Sequence, residues 1–139
     1  MKLDVTVAQI MSKNLKTLTT KQTLYEAESM FKKYGIRHIP VVDQDKLVGV
    51  LSYSDLLKIS YADVTEGEED VESVVYDMFS ISQVMAKVLV TVTSETSIRE
   101  VIKILDKQTF HSLPVVENSG ELVGIVTTTD ILNYFLEEY

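Results

Sequence analysis

The chain of 139 residues is long enough to bury roughly two thirds of its unfolded surface, and it contains no cysteine, which excludes a disulfide framework and a thiolate metal cage. A formal charge of −8 excludes bulk attraction to nucleic acid or to an anionic membrane, because both require clustered Lys and Arg. The opening MKLDVTVAQIMSKN interrupts its apolar residues with Asp4, Gln9 and Lys13, so it lacks the continuous run of a signal peptide or a membrane span, and a cytoplasmic location is expected.

In chain order, Thr17 falls on a first short strand. Thr23-Leu24-Tyr25-Glu26 then has the capping-box pattern, in which Thr caps a helix amine and Glu caps back three residues on. Behind it Leu24, Ala27, Met30, Phe31 and Tyr34 recur at helical spacing, and Gly35 is a good stop. HIPVV, a polar turn at Asp43-Gln44-Asp45-Lys46, and LVGVL read as two short buried strands in a hairpin, with Pro40 expected to begin an edge strand. A helix over SDLLKISYADV follows.

Residues 61–80, YADVTEGEEDVESVVYDMFS, hold seven acids and no base, leaving fourteen acids against thirteen bases elsewhere. A small anion is therefore not repelled by the rest of the chain. The segment reads as a solvated connector whose later part, with Val71, Val74, Val75, Met78 and Phe79 at helical spacing, forms an amphipathic helix.

From there the series repeats. Ile10-Met11 matches Val84-Met85, Thr17 matches Thr91, and Pro40-Val41-Val42 matches Pro114-Val115-Val116, all 74 residues apart. Beyond the hairpin turn the spacing is 75, pairing Leu47 with Leu122, Gly49 with Gly124 and Asp55 with Asp130, so the second turn carries one extra residue. The second copy offers Ser97-Ile98-Arg99-Glu100 as its cap, Ile98, Val101, Ile102 and Leu105 as its helix face, Thr109 as a weaker stop, and TDILNYFLEEY as its last helix. Each copy reads β-α-β-β-α, an α/β (α+β) fold with one repeat at residues 1–60, the connector at 61–80 and a second repeat at 81–139. One copy of about 60 residues would leave a sheet face uncovered, so the two are expected to pack sheet to sheet with pseudo-two-fold symmetry.

The repeated string that ends each hairpin, GVLSYSD at 49–55 and GIVTTTD at 124–130, carries the chemistry. A carboxylate at Asp55 or Asp130 accepts two hydrogen bonds and so suits a vicinal diol such as a ribose. The hydroxyls of Ser52, Ser54, Thr127 and Thr129, beside the free amines of a helix start, suit a phosphate. The same residues also serve as helix N-caps, and the sequence leaves both readings open. Gly49 and Gly124 allow a ligand or a neighbouring strand to come close. Two histidines without cysteine leave a zinc site short of ligands, and no nucleophile, base and oxyanion donor form a recognisable set.

The doubled pattern of Val/Ile-Met, strand Thr, PVV, LVG(V/I) and (S/T)-x-(S/T)-D resembles a tandem cystathionine β-synthase (CBS) domain pair, or Bateman module, and is similar to the small stand-alone acetoin-utilisation-type CBS proteins. The resemblance implies a non-enzymatic regulatory module binding an adenosine ligand, AMP, ADP, ATP or S-adenosylmethionine, with no metal and no other cofactor. It implies that Thr17 and Thr91 line an adenine pocket, and that Arg37, His38, Ile39 and Pro40 in one copy, and His111, Leu113 and Pro114 in the other, surround base and phosphate. Ser52, Ser54, Asp55, Thr127, Thr129 and Asp130 are then the ribose and phosphate contacts. It further implies a homodimer formed through helices, with output to a separate protein partner. The alternatives are a ligand-free interaction scaffold, whose Asp55 and Asp130 only cap helices, and a small enzyme acting on a phosphorylated metabolite.

Overall fold

In the computed structural model, residues 3–62, 76–87, 90–108 and 111–138 are described. They form a mixed α+β fold with two sheets, sorted into two compact units whose bounds do not follow the sequence repeats. One unit is Lys16–Val88; the other joins Met1–Leu15 to Leu89–Tyr139.

The first unit contains β1 (Leu18–Thr19), α1 (Leu24–Tyr34), β2 (His38–Asp43), β3 (Lys46–Ser52), α2 (Tyr53–Ala62) and the short α3 (Ile81–Val84). Helix α1 starts where Thr23 Oγ1 accepts the Glu26 amide at 3.2 Å, and it ends at Gly35, whose φ of 62° needs the left-handed freedom of glycine. The Glu26 carboxylate turns back toward this start as the sequence expects, one oxygen accepting from the Thr23 hydroxyl at 3.4 Å and the other from Gln22 Nε2 at 2.9 Å. A complete box appears at Ser80 and Gln83, which exchange backbone and side-chain bonds at 2.8 and 3.3 Å and open α3.

The sheet order is β1-β2-β3, with β1 parallel and β3 antiparallel to the central β2. Gln44 and Asp45, at φ 52° and 67°, make the two-residue left-handed turn that suits a twisted hairpin. Pro40 is therefore not on an edge strand; it is the third residue of the central one. Its cross-strand neighbour Val50 turns its amide away to the Ala86 carbonyl at 2.9 Å, so that pair makes no ladder bond with β3. On its other side, parallel pairing begins only at Leu18 and Val41. The missing amide of Pro40 ends that pairing and leaves Lys16 and Thr17 outside the sheet.

The second unit repeats the plan with a 3-10 turn (Val7–Gln9), α4 (Ile98–Lys107), β4 (Ser112–Val116), β5 (Leu122–Thr127) and α5 (Thr128–Glu138). Ser97 Oγ caps α4 from the Glu100 amide at 3.2 Å. Thr109, the expected stop, lies outside the described residues. The first strand of this copy is reduced to a parallel bridge between Val92 and Val115, and Gly120, at φ 91°, sits in the longer turn. Pro114 again lies inside a strand, with its carbonyl accepting the Val92 amide at 3.1 Å.

Each unit takes its opening segment from the start of the other repeat. The Val7 amide donates to Thr96 at 2.7 Å, the Ile98 amide to Val5 at 2.9 Å, and Ser12 and Ile125 exchange bonds at 2.8 and 3.0 Å. In the first unit Val50 and Ala86 do the same, both at 2.9 Å. The repeated plan has a packing reason. Met85 lies on Gly49 and Met11 on Gly124, so closely that an added Cβ would stand 2.5 Å and 2.6 Å from the two sulfurs. The glycines admit a chain segment.

The first core gathers Leu18, Leu24, Phe31, Ile39, Leu51, Leu56, Tyr76 and Ile81; the second gathers Val7, Val92, Val101, Leu113, Val115, Val126 and Ile131. Most of the acidic connector lies outside the described residues, but its helical end at 76–78 is anchored. The Tyr76 ring meets Tyr25 edge to face at 5.1 Å, and its hydroxyl donates to the Glu28 carboxylate. Burial pushes the Glu28 carboxyl up, yet hydrogen bonds from Lys32 and Tyr76 outweigh it and hold the group below its ordinary value. Among the described residues no helix is long and apolar enough to cross a membrane.

Candidate functional site

Sheet topology collects the sequence candidates of each copy at one end of its own sheet. Because β1 runs parallel and β3 antiparallel to β2, the starts of β1 and β2 meet the end of β3. There lie Thr17, one residue before β1, then Arg37 and His38, then Ser52, and finally Ser54 and Asp55 in the first turn of α2. The Arg37 carbonyl accepts the Tyr53 amide at 2.9 Å, which ties the basic segment to the helix start, and His38 stands opposite Ser52 in register.

Ser52 is the cap of α2: its Oγ accepts the Asp55 amide at 3.0 Å and lies 3.2 Å from Ser54 Oγ. Asp55 is therefore the third helical residue. Among the described residues its half-buried carboxylate has the Lys58 ammonium as charge partner, at 3.9 Å. Two hydroxyls, a helix start and an acceptor with spare lone pairs share one end of the sheet, an arrangement chemically able to take an anion and a diol together.

The second unit brings Thr91, His111, Thr127, Thr129 and Asp130 together in the same way, with one difference. Thr127 Oγ1 accepts the Asp130 amide at 3.0 Å, and Asp130 Oδ2 accepts the Thr127 amide at 2.9 Å. That is a closed capping box, so one oxygen of Asp130 is already engaged while Asp55 makes no such return bond among the described residues. The hydroxyl of Thr128 is likewise engaged, donating to the His111 carbonyl at 3.2 Å.

The remaining candidates divide by burial. Arg37, His38, His111, Thr91, Ser54 and Thr129 are exposed, and Thr17, Ser52, Thr127 and Asp130 are half-buried. Ile39 and Leu113 are fully enclosed in the cores, and Pro40 and Pro114 are buried. Ile39 and Leu113 thus offer a ligand no side-chain surface. Sequence reasoning noticed Met11 and Met85 as repeated but gave them no role; the repeated glycine opposite each was the available signal.

A family model for the CBS domain matches residues 7–62 and again 81–137. The chain belongs to the CBS domain family. As a CBS pair it is similar to crystal structures of the same fold. AcuB of Vibrio cholerae superposes with a TM-score of 0.80 at 27% identity, over 97% of this chain and 93% of that one. The CBS domain pair of protein MJ0100, solved with 5′-methylthioadenosine and S-adenosyl-L-methionine, gives a TM-score of 0.75 at 26% identity, over 94% and 99% of the two chains. Among curated sequences, an inosine-5′-monophosphate dehydrogenase of Halalkalibacterium halodurans is 35% identical over 115 residues, 82% of this chain. The chain spans only 21% of that enzyme, and 39% of a second curated relative, so the activities of those whole proteins stay with them.

Proposed function

We propose that this CBS pair is a regulatory module that binds an adenosine ligand at the hydroxyl-carboxylate end of its sheets and acts through a separate protein partner or through its own assembly as a homodimer. The carrying observation is the twofold gathering of a strand-start Thr, a basic residue, paired hydroxyls and a carboxylate at one sheet end. The MJ0100 pair, which holds 5′-methylthioadenosine and S-adenosyl-L-methionine, supports the choice of adenosine. In this reading Asp55 and Asp130 accept from the ribose, Ser52, Ser54, Thr127 and Thr129 with the helix amines face the phosphate or its equivalent, Arg37 and His38 add positive charge in the first copy, and His111 holds the matching place in the second. Thr17 and Thr91 border the base, and Ile39, Pro40, Leu113 and Pro114 contribute only backbone. The module has no catalytic role.

Calorimetric titration of AMP, ATP and S-adenosylmethionine into the wild type, Asp55→Asn and Asp130→Asn tests this. Asn keeps the helix start but replaces one acceptor oxygen with a donor, so a charge-assisted bond worth about 1.5–3 kcal/mol is lost and affinity falls roughly 10- to 150-fold at the altered site. Equal affinity in all three proteins would reject the ribose role.

A second reading, a ligand-free scaffold, draws on the closed box at Asp130, which accounts for that residue as a cap without any ligand. It predicts a melting temperature indifferent to every adenosine compound.

A further inference from the structure

The two sheet ends are built alike but charged differently. At the 74-residue spacing, Lys16 corresponds to Val90, Arg37 to His111 and His38 to Ser112, while Lys33 is matched by Lys107. The first copy therefore carries three permanent cations where the second carries one.

Their placement is not random scatter on a surface. Lys16 Nζ lies 4.7 Å and Lys33 Nζ 5.3 Å from the centre of the Tyr34 ring, so one aromatic side chain gathers two ammonium groups at the end of α1. Among the described residues neither ammonium has a carboxylate within 4.0 Å, whereas the neighbouring Lys32 is neutralised by Glu28 at 2.8 Å. Three residues after Tyr34 comes Arg37, whose carbonyl holds the first amide of α2. Lys16 itself is kept out of the sheet because Pro40 has no amide to offer its carbonyl. Lys16 and Arg37 thus stand just before the starts of β1 and β2, at the sheet end that also carries Ser52 and Ser54, and Lys33 shares the Tyr34 ring with Lys16. At the matching place in the second unit stand Val90, a histidine whose backbone carbonyl accepts the Thr128 hydroxyl, and a carboxylate with one oxygen engaged.

We propose that the two sites are graded by ligand charge: the first-repeat site takes a nucleoside polyphosphate, and the second-repeat site takes an adenosine compound with at most one phosphate. This rests on the adenosine-binding reading above. Two like charges held on one ring repel each other, and a chain of phosphates relieves that repulsion where a single phosphate reaches only the helix start. The grading lets one chain respond separately to a highly charged and a weakly charged adenosine compound.

The test uses the full chain, with adenosine and ATP titrated calorimetrically into the wild type, Lys16→Val, Lys16→Val/Lys33→Gln and the converse Val90→Lys. In the wild type ATP should occupy one site much more tightly than the other, and that step should weaken as salt rises. Lys16→Val/Lys33→Gln should lower the ATP-to-adenosine affinity ratio of the tighter site by about tenfold or more, with Lys16→Val intermediate. Val90→Lys should raise that ratio at the weaker site. Ratios unchanged in all three variants, in a wild type that does bind adenosine, would overturn the grading and leave the binding reading standing. A wild type that binds neither compound would overturn both.

Discussion

Adding one methyl group at Gly49 tests how the borrowed segments close the units. A Cβ there would stand 2.5 Å from Met85 Sδ and 2.9 Å from the Ala86 carbonyl oxygen. The sulfur ends a side chain with three rotatable bonds and can swing aside. The carbonyl cannot, because it accepts the Val50 amide at 2.9 Å and moving it breaks the exchange that docks the segment. At Gly124 the sulfur of Met11 is equally close, at 2.6 Å, but the Ser12 carbonyl is farther, at 3.1 Å. Overpacking costs about 1–3 kcal/mol, offset by about 0.4–1 kcal/mol from stiffening the unfolded chain. The net destabilisation should be about 2 kcal/mol for Gly49→Ala and about 1 kcal/mol for Gly124→Ala, read by equilibrium urea unfolding with unchanged slope. Double-mutant cycles with Met85→Ala and Met11→Ala separate sulfur from backbone: coupling should account for most of the loss at Gly124 and under half of it at Gly49. A Gly49→Ala protein as stable as the wild type would refute the reasoning, and so would full recovery on removing Met85.

The capping asymmetry predicts that Asp130→Ala lowers ligand-free stability by about 1 kcal/mol, while Asp55→Ala, which gives up only a 3.9 Å contact to Lys58, costs less than half as much; equal melting losses would contradict it. Tyr76→Phe should cost about 0.5–1.5 kcal/mol at neutral pH. Since the folded Glu28 carboxyl sits below its ordinary value of 4.5, its contribution is complete above that pH and fades as pH falls through the lower folded value. The gap between wild type and Tyr76→Phe should therefore hold from pH 7 to 5 and narrow below; a gap constant to pH 3 would remove Glu28 from the account. Leu132 and Leu136, 55% and 76% exposed one turn apart on α5, suit a helix-mediated dimer. Light scattering should report about 31 kDa, twice the 15.7 kDa chain, with Leu136→Glu shifting it toward the monomer; a wild-type monomer at high micromolar concentration would reject this.

Much of this architecture is legible in the sequence. The short apolar runs HIPVV and LVGVL, helical spacing behind Thr23 and Ser97, and the glycine stop at Gly35 are local properties, and local properties survive into the fold. Pro40 misled because edge strands are the commonest place for a strand proline, and only the register shows that its missing amide faces a neighbour that has already ended; Pro114 does lie on a strand of a two-stranded sheet, where each strand is an edge. The site candidates were legible as a repeated string, but their inequality was not. Whether a carboxylate turns back to its own helix start, as Asp130 does and Asp55 does not, depends on rotamers that SYSD and TTTD do not reveal. The pairing of Met11 with Gly124 and of Met85 with Gly49 was hidden for another reason: each partner lies in the other repeat, where no local pattern links them.

That crossed arrangement has a consequence for a broken chain. A single proteolytic nick between Asp63 and Val75 would divide the sequence near its middle and separate residues 1–62 from 76–139. Neither fragment would own a finished interior. The amino-terminal piece would carry off Val7, a member of the second core, and would lack Tyr76 and Ile81 from the first; the carboxy-terminal piece would be short in the opposite sense. Each holds what the other needs, so the nicked protein is bound by mutual complementation, and two silent fragments mixed together carry all the parts needed to rebuild both units.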